Sequence, residues 1–417
     1  MIQTGNWSKP AFQIDWPAAT PRFHILVCFA AALALGACDD GVEPEQDPRR
    51  VLTKASFDDL DGWQNDDPTK TVAAFLRSCE RIASADRNEP LAGHDIAGPI
   101  GLWQEICLAA ADQPALQSDA ASARGFFEAH FQPYHVLNHD DPKGLFTGYF
   151  EPELAGSLSQ SDAYSVPLFR LPDDLVTIEL GLFSDEWQGR RVTGRVENNK
   201  VVPYYSRAEI DAGKLDGQRL EILWVDDIIE KFFLQIQGSG RVRLDDGRIV
   251  RVGYAGQNGH PYRAIGRDLI EMGEVSREAM SLQAIDNWLR TNPNQADALM
   301  HKNPSYIFFQ LQSMIGPDDG PLGAQSVPLT SGRSLAVDRA FMPLGAPIWL
   351  DATMPTETGE EPLQRLFIAQ DTGGAIKGPV RGDVFFGGGE AAKFSAGNMK
   401  AEGEYYLFLP KAMAEQS

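Results

Sequence analysis

From Thr69 to about Phe131 the apolar residues recur every three or four positions, and after about Gly144 they alternate in short runs broken by Gly, Pro and Asp. This change of period constrains the fold more than any other feature, because helices and strands present their faces at different repeats. Val72, Phe75, Leu76 and Cys79 form one helical stripe, Leu102, Ile106 and Ala109 a second, and Ser118 is expected to cap a third helix carrying Phe126 and Phe127. The segment Phe232 to Val252 predicts a β-hairpin turning at Asp245-Asp246-Gly247. Helical stretches follow Pro261 and span Ser281 to Leu289, and strands resume from about Ser334 to Leu409. Helices first and strands later predict an α+β, mainly β fold with barrel-like parts, not a Rossmann sheet.

The 417 residues suit two or three domains. Lys and Arg total 37 against 58 Asp and Glu, a net charge of −21, which excludes a nucleic-acid binder relying on a basic face. Ile25 to Ala34 is an apolar run about half as long as a membrane span, preceded by Arg22 and His24 and followed by Leu35-Gly36-Ala37-Cys38. That is the pattern of an export signal. The mature chain is then either a soluble secreted protein cut near Ala37 or a lipoprotein. Leu-Gly-Ala-Cys resembles a lipobox, which implies cleavage after residue 37, lipidation of Cys38 and a membrane anchor, with 38–60 as tether. Asp39 leaves the choice between outer and inner membrane open. After export Cys79 and Cys107 remain, either as a disulfide closing a loop worth about 3 kcal/mol or as buried thiols.

Several motifs are discounted. Gly238-Ser239-Gly240 lacks the Gly-Lys-Ser/Thr of a phosphate loop. His130, His135 and His139 are close in sequence, but Pro133 interrupts the helix that would align them, so a surface role is expected and no metal site. Arg381-Gly382-Asp383 matches an adhesion tripeptide of the kind that arises by chance. More informative are Asp338, Asp371 and Asp383 at the ends of β-like runs, Asp371 and Asp383 beside glycines. Carboxyl groups gathered at a rim suit glycosidic cleavage, which needs a proton on the leaving oxygen while positive charge grows on the sugar. Asp-Thr-Gly and Gly-Asp also form ordinary turns, so spacing leaves both readings open.

In these settings the three aspartates resemble the 3D domain, a double-psi β-barrel. Phe146-Thr147-Gly148-Tyr149-Phe150-Glu151-Pro152, Tyr205-Ser206-Arg207-Ala208-Glu209-Ile210, Phe233 to Gly240, Gly253 to Gly259, Asn303-Pro304-Ser305-Tyr306 and Ala396-Gly397-Asn398-Met399 occur in the order found in the membrane-bound lytic murein transglycosylase A family. The resemblance covers roughly two-thirds of the chain, from about 144 to 410. It implies an N-terminal helical part at 61–151, an inserted small β-barrel domain at 152–318, and a 3D domain at 319–417. It also implies non-hydrolytic cleavage of the β-1,4 MurNAc–GlcNAc bond of peptidoglycan, giving 1,6-anhydromuramoyl ends, by a monomer without cofactor at the periplasmic face of the outer membrane.

The family's catalytic Asp maps onto Asp383, with Asp371 as a second site residue or a turn, and Asp338 as structural. Thr147, Gly148, Tyr149, Gln237, Gly238, Ser239, Asn258 and Lys377 are expected at the glycan. Ala324-Gln325-Ser326 and Phe386 depart mildly from the family pattern. An inverting hydrolase with Asp371 as base, and a noncatalytic wall-binding module, remain as alternatives.

Overall fold

The computed structural model describes residues 47–312, 319–356 and 358–414; the expected export signal, Cys38 and its neighbours lie outside them. Strand β1 (Arg50–Lys54) runs antiparallel to β2 (Phe131–Asn138), and three helices fill the chain between them: α1 (Thr69–Ala83), α2 (Ile100–Ala111) and α3 (Ala120–His130). Their apolar stripes meet where expected. Phe75 is fully buried, with Phe127 and Phe131 set edge-on at 6.1 and 5.9 Å, a position where truncation to Ala costs about 3–5 kcal/mol. The cap of α3 is Asp119, not Ser118: its carboxylate accepts from the Ser122 amide at 2.8 Å, which a hydroxyl one residue earlier does not. Cys79 and Cys107 form a disulfide joining α1 to α2.

A closed six-stranded barrel follows. Its strands are β3 (Gly144–Glu151), β13 (Ser334–Val337), β14 (Pro347–Thr356), β15 (Gly359–Asp371), β16 (Arg381–Gly388) and β17 (Lys400–Pro410). They pair in the order β17-β14-β15-β13-β16-β3, and β3 returns to β17 to close the ring, with β2 and β1 extending from β17. The β3–β16 and β13–β15 pairs are parallel and the others antiparallel. Leu335, Ile348, Phe367, Val384 and Leu407 share one face of these strands and are wholly buried, while Trp349, on the opposite face of β14, packs edge-on against Trp63 at 5.2 Å. Within the stretch expected as strands, residues 390–398 form a helix, α9 (Glu390–Asn398), entered through Gly389 at φ +89°.

The chain leaves this barrel at Glu151-Pro152 and builds a second sheet. Its strands β4 (Glu153–Ser157), β5 (Val166–Phe169), β9 (Glu221–Val225), β10 (Ser239–Leu244), β11 (Ile249–Gln257) and β12 (Ile307–Gln312) lie in the order β12-β11-β10-β4-β9-β5. A separate sheet comprises β6 (Leu175–Glu179), β7 (Arg191–Glu197) and β8 (Lys200–Pro203). Helices α4 (Arg207–Glu209), α5 (Ile228–Gln237), α6 (Gly266–Glu271), α7 (Leu282–Thr291) and α8 (Pro293–Met300) complete this part, with Ser281 capping α7 as its position suggests. A last turn, α10 (Lys411–Ala414), follows β17.

The expected hairpin over 232–252 is half correct. β10 and β11 pair around Asp245-Asp246-Gly247, but Phe232 to Gln237 belong to α5. Asp227 caps that helix, accepting from the Ile229 amide at 2.7 Å, and Gly238 ends it at φ +81°.

Two buried charges sit where the chain crosses between the sheets. Arg251 on β11 donates to both oxygens of Glu151, at 2.6 and 3.2 Å, and to the carbonyls of Asp319 and Gly320. Arg241 adds a bond to Glu151 at 2.8 Å, and Arg77 of α1 pairs with the Asp319 carboxylate. Both crossings are therefore gripped by one guanidinium.

Candidate active site

The parallel register of β3 and β16 sets Thr147 opposite Asp383, while β13 brings Ala336 to the other side of the same aspartate. The Thr147 hydroxyl donates to Oδ1 of Asp383 at 2.6 Å. Arg381, two residues earlier on β16 and so on the same face, donates from Nη2 to the Thr147 oxygen at 2.8 Å. Desolvation by the surrounding protein raises the Asp383 pKa to about 6, helped by the charge of Asp371 and opposed by the Thr147 bond and the Arg381 charge. The residue keeps some exposed surface, so a ligand can reach it. Phe385 is buried against Tyr149, ring centres 5.2 Å apart, and belongs to the apolar packing that desolvates this side of the barrel.

Asp371 ends β15 with both oxygens occupied. The Tyr149 phenol donates to Oδ2 at 2.8 Å and the Ala324 amide to Oδ1 at 2.9 Å. Burial raises its pKa while these bonds hold it back, and burial followed by the Asp371 charge pushes the Tyr149 phenol well above its usual value. The loop that presents Ala324 is pinned from α1. Ser78 donates to the Gln325 side chain at 2.7 Å and accepts from Gln370 at 2.9 Å, and the Gln325 amide donates to the Gln370 carbonyl. Asp338 is buried: its Oδ1 accepts from the Ala340 amide and its Oδ2 from the Gly378 amide, which anchors the loop bearing exposed Lys377. This arrangement accords with its expected structural role.

The remaining sequence-derived residues divide. Gln237, at the end of α5, accepts from the Phe150 amide at 3.1 Å and so touches the strand that carries Thr147 and Tyr149. Ser239 opens β10, half-exposed, beside the helix-ending Gly238. Gly148 serves close packing: a Cβ there would stand 2.5 Å from the Phe386 ring and 2.9 Å from Ala396 of α9. Asn258 must be corrected. It is wholly buried, its amide donates to the Tyr205 and Pro304 carbonyls, and its oxygen accepts from the Tyr306 and His260 amides. All its capacity is spent joining loops, so none is left for a sugar.

The three histidines go separate ways. His130 packs against Phe126 with tilted rings, His135 pairs with Glu404, and His139 bonds the Asp47 carbonyl. Arg381, Ala324 and Tyr262 are not among the residues the sequence places at the site. Tyr262, on the loop before α6, feels the charge of Asp383, which helps raise its phenol pKa after burial. Arg381 could have been found from period 2 along β16; Ala324 contributes only a backbone amide, which no side-chain pattern marks.

Residues 145–310 match the family description MltA specific insert domain, and 333–409 match the 3D domain. A membrane-bound lytic murein transglycosylase A from Vibrio cholerae is 35% identical over 278 residues, which is 65% of this chain and 67% of the relative. A crystal structure of membrane-bound lytic murein transglycosylase from Agrobacterium tumefaciens superposes with a TM-score of 0.76 at 34% identity, covering 88% of this chain and 99% of that one. A crystal structure of Escherichia coli MltA with bound chitohexaose matches with a TM-score of 0.59 at 26% identity, over 88% of this chain and 93% of that one. The chain belongs to the membrane-bound lytic murein transglycosylase A family.

Proposed function

We propose that this chain is a peptidoglycan lytic transglycosylase in which Asp383 is both acid and base. One observation carries the reading: Asp383 stands at the partly exposed end of β16 with the Thr147 hydroxyl on one oxygen, where desolvation raises its pKa to about 6, while the neighbouring carboxyl, Asp371, holds the Tyr149 phenol and the Ala324 amide. Protonated Asp383 delivers its proton to the glycosidic oxygen between MurNAc and GlcNAc as the bond to muramoyl C1 breaks. The resulting carboxylate removes the proton from the muramoyl C6 hydroxyl, whose oxygen bonds to C1 and closes the 1,6-anhydro ring. No water enters, and Asp383 ends protonated for the next turnover. The Escherichia coli relative with bound chitohexaose supports an oligosaccharide as ligand. An inverting hydrolase needs a second carboxylate placed to activate water, whereas Asp371 is tied to the Tyr149 phenol and the Ala324 amide as a joint between β3, β15 and the 324 loop.

In this reading 61–151 and 319–417 form the catalytic body, 152–318 is the insert, and the glycan lies between them. Thr147 orients Asp383, Tyr149 and Asp371 shape the floor, and Gln237, Gly238, Ser239 and Lys377 contact the strand. Membrane attachment comes from lipid on Cys38, facing the periplasm from the outer membrane, and the monomer is the working form. Asp383→Asn tests the central role. Release of soluble muropeptides from sacculi should fall roughly 100- to 10,000-fold while co-sedimentation with sacculi persists. Undiminished release would remove Asp383 from the chemistry.

A further inference from the structure

Arg381 sits on the same strand face as Asp383, yet it reaches that carboxylate through the Thr147 hydroxyl rather than as a direct ion pair. Its other amino group, Nη1, bonds the carbonyls of Leu145 at 3.1 Å and of Gly382, so the guanidinium is held in place by the backbone of β3 and β16. We propose that Arg381 is a positioning residue for the reaction: by fixing the direction of the Thr147 hydroxyl it places the transferable proton of Asp383 on Oδ2. The proposal rests on the reading of Asp383 as the acid.

The chemistry follows from donor counting. A guanidinium only donates, so the Thr147 oxygen accepts from Arg381 and its hydrogen must point elsewhere. Among the described residues Asp383 is the one other hydrogen-bond partner of that hydroxyl, and the hydrogen therefore goes to Oδ1 at 2.6 Å. An Oδ1 already accepting a hydrogen bond cannot also aim a proton at Thr147. The acidic hydrogen is left to Oδ2, the oxygen free to meet a glycosidic oxygen. Proton delivery then needs no rotation of the carboxyl group, and the same Oδ2 can take the C6 proton back.

The indirect geometry also suits the task electrostatically. A carboxylate in direct contact with Arg is held ionised, its pKa depressed by about one to three units. With Thr147 between them, the Arg381 charge still lowers the Asp383 pKa, but burial outweighs it and the group keeps a proton to about pH 6. The other groups facing Asp383 are Tyr149 on β3, Asp371 on β15 and Tyr262 on the loop before α6. On β17, Lys400 stands opposite Thr147 in the strand register, and Tyr405 interacts with Arg381.

The test is anhydromuropeptide release from sacculi across pH by wild type, Arg381→Met, Arg381→Lys, Thr147→Val and the double variant Arg381→Met/Thr147→Val, each shown folded by circular dichroism. Removing the Arg381 charge raises the pKa of Asp383, so the alkaline limb of kcat/KM in Arg381→Met should move up by roughly one pH unit. Its kcat should fall roughly 10- to 100-fold through lost aim with little change in KM. Arg381→Lys should keep the limb near its original place. If Arg381 acts through Thr147, the kcat of the double variant should be about that of Thr147→Val alone. A limb that stays put in Arg381→Met, or losses in kcat that multiply in the double variant, would overturn the proposal. Asp383→Asn in the same assay keeps the outcomes separate: if it retains activity, the acid itself is misassigned, whatever Arg381 does.

Discussion

The phenol of Tyr149 donates to Oδ2 of Asp371 at 2.8 Å, joining the strand that carries Thr147 to the strand that ends at the second carboxyl of the site. Tyr149 is 9% exposed, Asp371 is partly buried, and burial raises both of their pKa values. Tyr149→Phe keeps the ring packing on Phe385 and removes only the hydroxyl. It leaves a desolvated acceptor without its donor, so stability should fall by about 1–3 kcal/mol, read as a shifted midpoint in denaturant with an unchanged slope. An unshifted midpoint would mean that water replaces the phenol without cost.

Asp371→Asn should move the pH profile in the opposite direction to Arg381→Met. The Asp371 charge helps raise the Asp383 pKa. Without it Asp383 gives up its proton at lower pH, so the acid form is lost earlier as pH rises. The alkaline limb of kcat/KM for muropeptide release should move down. An upward shift would show that Asp371 acts on Asp383 by something other than its charge.

Glu151 and Arg251, 2% and 1% exposed, meet where the two sheets are joined. Glu151→Ala strands two guanidinium groups, Arg251 and Arg241, and should destabilise by about 3–5 kcal/mol. Replacing the buried pair together, Glu151→Leu with Arg251→Met, should cost less than the single change, because no charge is then left buried without a partner. Denaturant unfolding of the three proteins checks the order.

The Cys79–Cys107 bond closes a separation of 28 residues, and its removal by Cys79→Ser with Cys107→Ser should cost about 3 kcal/mol on the chain-entropy model. The same helix carries Arg77 and Ser78, which hold the return segment and the Gln325 loop. Activity should therefore be lost at lower denaturant in the variant than in wild type. Equal inactivation midpoints would separate the disulfide from the site.

The helical opening and the later strands were legible because their apolar residues face one side only, so periodicity survives in the sequence. It misleads at α5, where Leu234, Gln235, Ile236 and Gln237 alternate as a strand would, although a helix buries Ile229, Phe232, Phe233 and Leu234. The better signals there were the Asp227 cap and Gly238, which are local and independent of burial. At the site, Asp383 and Asp371 were legible as carboxyls beside glycines, but spacing left open what each does. The difference lies in Thr147, Tyr149 and the Ala324 amide, brought in by β3 and by a loop far away in sequence. Asn258 was misread for the related reason that a glycine-flanked amide looks alike whether it reads a sugar or ties loops together.

The most direct test is mass spectrometry of the products released from sacculi in isotopically labelled water. Transfer within the muramoyl residue predicts 1,6-anhydro ends carrying no label, formed by wild type and absent with Asp383→Asn. Reducing muramoyl ends that carry the solvent label would contradict the account, and would make the enzyme a hydrolase.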